Sequence, residues 1–499
     1  MAKQYIDIPQ YTTYNEIASK DYSFSATQYK TFYIKNSNTI PVSEFLYRNL
    51  NRKDLGYEVG SNAYVEKSQY KFIKTKALQP ETYLLDINKE SVQDIIPNAY
   101  MECELKQGDL LISKDSNVGE IAILDKDYPN TMLCGGIYKL PVIKNKYYLL
   151  AFIKSELFRQ QIDFLVPRGS TIRHGKTKFL NCLIPMPNKN RKETILYIEL
   201  LMQAIINKEI EIKRKHKQIL DNILLELKSN QKENIFKYSY PTYREIVSMD
   251  RMDSNRFSKE YKEFLFLITN YKNGYSAIYD YGYKVKRGQN LQISNIGKSI
   301  YTTKEYKNFY KLVLSQNLST EGRILSIQYL GNKNKLSILN DGDIVFSARG
   351  QCLGRSFIVF NDMKNHITNI DNIIFYNGKN IQKSIFIHLM LDLYRSNNFI
   401  KKIGINGSGA ESVTQYQIAD IPIPDFPSNK EALITKLYSN SNAVYNCSKY
   451  SLDNFLEYDN KFNKLAGIYE IDKSMKLLQE RLNNAIDNIA NDKEVEIMF

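Results

Sequence analysis

Tryptophan is absent from this 499-residue chain, and cysteine and histidine are sparse. The five cysteines (Cys103, Cys134, Cys182, Cys352, Cys447) form no Cys-x-x-Cys pair, and the four histidines (His174, His216, His366, His388) lie far apart. An odd, scattered set of this kind fits reduced thiols better than a disulfide framework, and it offers no zinc spacing, so no metal site is expected. No apolar run approaches the roughly 18 residues that span a bilayer. The opening MAKQYIDIPQ has no signal-peptide core, so the expected location is cytoplasmic, with no membrane partner. Catalytic signatures are missing too. Neither Asn-Pro-Pro-Tyr nor Asp-Pro-Pro-Tyr occurs to hold a flipped base, no Walker loop appears, and Gly407-Ser-Gly409 has the wrong spacing for a nucleophile elbow. A large chain without such motifs is expected to bind rather than to catalyse.

What is present is ordinary globular composition, 43% hydrophobic and 24% charged, with a net charge of +14 and pI near 9.1. A basic excess favours a polyanion, because neutralising phosphates releases counterions. The 38 tyrosines suit base stacking, although a Lys-, Asn- and Tyr-rich composition also arises in AT-rich genomes. The length allows two or three domains.

The chain then repeats itself. Gly108-Asp-Leu-Leu-Ile-Ser113 is matched by Gly342-Asp-Ile-Val-Phe-Ser347, Gly119 by Gly354, Gly169-Ser170 by Gly407-Ser408, and Ile184-Pro-Met-Pro187 by Ile421-Pro-Ile-Pro424. The offset stays near 235 residues, which is too long for a solenoid unit, so each copy is expected to be a whole domain. Within each copy, Leu110–Ser113, Glu120–Leu124, Ile344–Ser347 and Phe357–Phe360 read as short strands, with helices expected over 147–164 and 381–403. Asp109 and Asp343 are expected to stabilise turns, and Pro185, Pro187, Pro422 and Pro424 to end each domain in extended backbone.

Between and after the copies the period changes to helical. Ile195, Ile198, Leu201, Met202, Ile205, Ile206, Ile212, Ile219, Ile223, Leu224 and Leu227 recur at three- and four-residue spacing, without glycine or proline from 189 to 235. Lys208, Lys213, Arg214, Lys215 and Lys217 are expected on the other faces. Forty helical residues span about 60 Å, so the stripe needs a partner. Ile471, Met475, Leu478, Leu482, Ile486 and Ile489 supply one, after an expected break at Gly467. The expected fold is therefore α+β: two related mixed α/β domains with sheet cores, at 1–188 and 236–427. Two long helical segments, 189–235 and 428–499, separate them and pack as an antiparallel coiled coil.

This order of elements resembles the specificity subunits of type I restriction–modification systems, whose target recognition domains carry a similar Gly-Asp strand, glycine, helix, Gly-Ser loop and Ile-Pro-x-Pro exit. The second copy adds Arg251-Met-Asp253 before Phe257 and Tyr261, similar to the family's Arg-x-Asp and aromatic run, and both copies carry Tyr-x-Glu-Ile, at Tyr14–Ile17 and Tyr243–Ile246. The chain departs from the pattern where the exits lack the usual Glu-Gln pair and the first copy reads Asp21-Tyr-Ser-Phe24. The resemblance implies a non-catalytic subunit that reads a bipartite double-stranded DNA target in phage defence. It also implies two methyltransferase subunits as partners, a nuclease/translocase subunit joining them, and S-adenosylmethionine bound by the methyltransferase rather than by this chain. An antiparallel helix pair would relate the domains by an approximate two-fold axis, as in duplex DNA.

Candidate DNA contacts follow from side-chain chemistry. Around the first Gly-Ser loop they are Arg168, Ser170, Thr171, Arg173, His174 and Lys176, with Lys114 after the strand. In the second copy they are Arg349, Gln351 and Arg355, then Ser408, Thr414 and Gln415. Arginine forks onto guanine, glutamine pairs with adenine, and lysine favours phosphate. Two other classes fit the same composition: a helical scaffold with incidental basic charge, and a DNA-modifying enzyme with an unrecognised site.

Overall fold

A computed structural model describes residues 5–499 apart from 8, 25–28, 89, 167–173, 234, 250–253, 379, 405–410 and 448–449. Contacts divide the chain into two units. The first comprises Met1–Glu211, Val444–Leu465 and Ile471–Phe499, and the second Ile212–Ala443 and Ala466–Glu470.

In the first unit, β1 (Ile6–Asp7) pairs with β2 (Thr31–Phe32). Between them α1 (Tyr14–Ser19) begins with a capping box: the Thr13 hydroxyl accepts the Glu16 N–H, and the Glu16 carboxylate accepts the Thr13 N–H at 2.8 Å. β3 (Thr39–Pro41) runs antiparallel to β11 (Leu183–Pro185), so the proline exit returns beside the start of the domain. The core holds two sheets. One orders β4 (Tyr64–Val65), β6 (Val92–Ile95), β5 (Lys71–Ile73) and β9 (Thr131–Leu133), with β5 and β9 parallel. The other orders β10 (Ile137–Leu140), β7 (Leu110–Ser113) and β8 (Ile121–Ile123), all antiparallel. β7 and β8 are buried at every position, which is why they read as continuous apolar runs rather than alternating ones. Burying each such aliphatic side chain contributes about 1.5–3 kcal/mol. The helix expected over 147–164 is two helices, α2 (Lys146–Ile153) and α3 (Glu156–Leu165). Ser155 separates them in extended backbone, and its hydroxyl caps α3 by accepting the Phe158 N–H.

The second unit repeats this plan. α5 (Tyr243–Met249) has the same capping pair, Thr242 with Glu245. α6 (Ser254–Phe257) and α7 (Lys259–Thr269) follow. β12 (Tyr275–Ala277) pairs with the second proline exit, β21 (Pro422–Pro424). One sheet orders β14 (Ser299–Thr302), β16 (Gln328–Asn332), β15 (Tyr310–Val313) and β19 (His366–Thr368), again parallel at its last pair; α8 (Ile293–Ile296) precedes it in the chain. The other orders β13 (Lys284–Arg287), β20 (Asn372–Tyr376), β17 (Ile344–Ser347) and β18 (Ser356–Ile358). The extra strand β13 extends a contact that is a single bridge in the first copy, Leu55 to Tyr138. α9 (Ile381–Ser396), α10 (Phe399–Ile403), α11 (Gln415–Ala419) and α12 (Ser428–Tyr438) complete the unit.

The repeat holds at the level of single atoms. The Asp109 carboxylate accepts the Lys106 N–H and the Asp343 carboxylate the Asn340 N–H, each at 2.9 Å, closing the turn before the central strand. Gly119 and Gly354 stand at φ +84° and +87°, where a side chain is strained, and each donates its N–H back to the strand serine, Ser113 or Ser347.

α4 (Arg191–Ser229) is one uninterrupted helix, and it packs against α14 (Ile468–Ala490). Gly467 separates α14 from α13 (Phe455–Leu465), its N–H bonded to the Glu470 carboxylate at 2.9 Å. Within the first unit the start of α4 meets the end of the chain and its middle meets α13. Asn190 meets Glu494 at 3.1 Å, the Tyr197 hydroxyl donates to the Met498 carbonyl at 2.6 Å, and Lys208 reaches Asp459 at 2.7 Å. The segment 212–229 belongs to the second unit, where His216 pairs with Asp392 of α9, and Glu226 takes Tyr271 at 3.0 Å and Lys430 at 3.1 Å. Lys208 and Lys215, expected off the apolar stripe, are nevertheless 0% and 3% exposed, because the helix is covered on more than that stripe.

Candidate nucleic-acid interface

In both copies the turn leaving the central strand meets the segment that follows the Gly-Ser loop. In the first, Gly175 donates its N–H to the Lys114 carbonyl at 2.7 Å, and Asp115 bridges to His174. In the second, Val413 donates to the Ala348 carbonyl at 3.0 Å, and Arg349 bridges to Ser412. Residues more than 55 positions apart in sequence are thus held side by side by the same backbone pairing.

The chemistry on that shared frame differs. In the first copy the Asp115 carboxylate takes both Lys114 and His174, the latter through Nδ1 at 2.9 Å, and His174 stays exposed. In the second, Arg349 is exposed with its Nη1 at 3.7 Å from Asp371, and Lys401 pairs with Glu411 at 3.2 Å. Gln351 is also exposed, two residues beyond Arg349.

The other expected contact residues fall into groups. Arg168, Ser170, Thr171, Arg173 and Ser408 lie outside the described residues. Lys176 is exposed at φ +48°. It belongs to a Gly175-Lys176-Thr177 run, but a phosphate loop would need the preceding glycine one residue nearer than Gly169 stands. Arg355 turns into the domain and donates to the Leu318 carbonyl at 2.6 Å. Thr414 caps α11, its hydroxyl accepting the Gln417 N–H at 3.2 Å, and Gln415 is half-buried at the first helical position.

Sequence reading missed Arg287, the last residue of β13. Its guanidinium donates to the carbonyls of Ile370 and Val413, both at 3.4 Å, and burial and then Arg349 hold its pKa below the usual arginine value. Lys401 was missed as well. Local sequence carries no sign that either residue meets 411–413; that juxtaposition depends on the sheet and on α10.

A second polar cluster in this unit is buried. His216 and Arg395 flank Asp392; burial opposes the charge there, but Arg395 and His216 outweigh it and keep the carboxyl ionised well below its ordinary range. Glu321, also buried, is held at about 2 by Arg323 and His216 against that same penalty. His388 Nδ1 and the Ser356 hydroxyl share a hydrogen bond of 2.8 Å, and burial pushes the His388 pKa down to about 4. Asp392 and His388 are buried and His216 and Arg395 partly so, which makes this a cluster that organises the core.

Among the described residues no group of three or more His, Cys, Asp or Glu side chains could hold a metal, and no helix is long and apolar enough to cross a membrane. The five cysteines are free thiols.

No family model matches the chain, and no curated protein matches it. Solved structures do. The S subunit of a type I restriction–modification system from M. genitalium matches at 10% identity and TM-score 0.36, over 91% of this chain and 95% of that one. The HsdS subunit from Thermoanaerobacter tengcongensis matches at 10% identity and TM-score 0.26, over 91% and 96%. A chain studied for complex assembly and conformational transition of the type I R-M system matches at 10% identity and TM-score 0.28, over 92% and 99%.

Proposed function

We propose that this chain is the DNA-specificity subunit of a type I restriction–modification complex, reading one half of a bipartite duplex target with each copy. The observation that carries this reading is a duplicated loop frame whose backbone pairing is kept while its side chains change: Asp115 and His174 in one copy, Arg349 and Ser412 in the other. A pair of like surfaces suits a duplex, whose two strands repeat one geometry, and the different exposed side chains on that frame, His174 in one copy and Gln351 in the other, suit two different half-sites. The net charge of +14 supplies the phosphate attraction that any such reader needs.

In this reading α4 sets a constant number of unread base pairs between the half-sites. Two methyltransferase subunits bind this chain, hold S-adenosylmethionine themselves and perform the methylation, and a nuclease/translocase subunit joins the assembly. The chain itself does no chemistry, and the complex works in the cytoplasm.

Selection of duplexes from a randomised library with the full-length chain tests the reading. The expected product is a motif of two short blocks separated by a gap of fixed length. Recovery of no preferred sequence, with binding lost at modest salt, would favour a scaffold whose basic charge is incidental.

A further inference from the structure

Three cations address three successive residues of the second copy's loop frame. Lys401 pairs with the Glu411 carboxylate at 3.2 Å, Arg349 is bridged to Ser412, and Arg287 donates to the Val413 carbonyl at 3.4 Å. Two carboxylates, Asp371 and Glu411, face them, so the group carries a net charge of three minus two, +1. Arg287 and Arg349 lie close enough to oppose each other's charge, and Arg287 is partly buried as well. Guanidiniums crowded in this way are relieved by an anion between them. The contacts already made by Arg287 and Arg349 are long, at 3.4 and 3.7 Å, which leaves N–H capacity for a stronger acceptor.

The first copy lacks both arginines at the matched positions. Gly56 and Gly288 correspond, since their N–H groups bond the carbonyls of Ile137 and Asn372, the residues that begin β10 and β20. The residue before each glycine is Leu55 in the first copy and Arg287 in the second. Where the second copy has Arg349, the first has Asp115.

We propose that Arg287, Arg349 and Lys401 form a seat for a backbone phosphodiester of duplex DNA, present in the second copy and absent from the first. The proposal rests on the DNA-reading function. It assigns Arg349 to gripping the strand rather than to reading a guanine, and leaves base recognition in this copy to its neighbours, with Gln351 foremost. Arg287 also ties the loop at 370 to the segment at 413, so it positions what it helps to hold.

Salt titration of binding to the selected duplex is the test, using the full-length wild type, Arg287→Ala, Arg287→Lys and, as the matched control, Leu55→Ala. For Arg287→Ala the slope of log affinity against log salt should fall by about 0.9, the value of one lost phosphate contact, with roughly tenfold weaker binding and an unchanged selected motif. Arg287→Lys should retain the slope, and Leu55→Ala should leave it untouched. A merely structural tether would weaken binding or blur the second half-site with the slope intact, and that result overturns the seat. Phosphate and chloride buffers of equal ionic strength should give the same affinity; selective competition by inorganic phosphate in the wild type, lost in Arg287→Ala, would make free phosphate the ligand and refute the proposal. If the wild type binds duplexes without preference while Arg287→Ala lowers the slope, the seat stands and the sequence-reading function fails. A wild type that binds no duplex overturns both.

Discussion

Two residues past the serine that ends the central strand, one copy carries Asp115 and the other Arg349, each bridged to the returning loop, at His174 and Ser412. Beneath them the copies agree down to the carboxylate that closes the preceding turn and the left-handed glycine that follows. The difference separates two kinds of constraint. Positions that shape the backbone admit few residues, because a wrong one clashes or strands a polar group. Positions on the loop crest carry no such demand, and there even the sign of the charge changes, from a partly buried Asp115 to an exposed Arg349. A protein that needs one architecture for two different ligands would vary at the crest.

The largest effects are expected where the helices differ in how they are anchored. Lys208 and Asp459 are both fully buried in the first unit, with Asn463 and the Tyr445 hydroxyl completing the cluster. Lys208→Met leaves an uncompensated buried carboxylate and should cost about 3–5 kcal/mol in urea denaturation, whereas pairing it with Asp459→Leu should recover most of the loss. A double variant as unstable as the single one would show that packing, not charge, dominates there.

The matched glycines should fail alike. A Cβ on Gly56 would stand 2.2 Å from the Cys134 carbonyl oxygen, and one on Gly288 2.2 Å from that of Asn369, both backbone atoms. Gly56→Ala and Gly288→Ala should each lose about 3 kcal/mol or more in thermal or urea melts. A large loss in one copy and none in the other would break the equivalence.

Acid should separate the units next. Burial holds His388 near 4 against an ordinary value of 6.5, so its neutral form contributes stability that is complete above pH 6.5 and lost as the pH falls toward 4. His216 works in the other direction. Burial lowers its pKa, but Asp392 outweighs that and raises it, so its contribution is present below 6.5 and lost as the pH climbs through the raised value. His388→Gln should flatten the acid side of the second unit's stability profile between pH 6.5 and 4, followed by the Tyr271 or Tyr283 environment; an unchanged profile would remove His388 from the account.

The smallest effects on folding belong to the crest. Arg349→Asp should change stability by no more than about 0.5 kcal/mol, and Asp115→Arg, which breaks the pairs with Lys114 and His174, by about 1 kcal/mol. Arg349→Asp should nevertheless weaken duplex binding by about 1–3 kcal/mol, and Asp115→Arg should strengthen it and steepen its salt dependence. Equal and negligible effects on binding would mean that the crest does not touch DNA.

Much of this architecture could be read from residues alone. Gly-Asp before an apolar run marks a turn and a buried strand, and an uninterrupted stretch with helical spacing marks α4, because both signals are local. The split of α2 from α3 was hidden because Ser155 is a weak breaker on paper and acts here as a helix cap. Lys208 looked like a surface charge because its partner Asp459 lies some 250 positions away in sequence. Arg287 was invisible for the same reason: strand pairing, not sequence proximity, brings it to 413.

The claim that each copy reads its own half of one target is tested most directly by duplex selection with Gln351→Ala and His174→Ala beside the wild type. Each variant should relax one block of the recovered motif, a different block for each, and leave the gap unchanged. Loss of specificity in the same block for both, or across the whole motif for either, would contradict it.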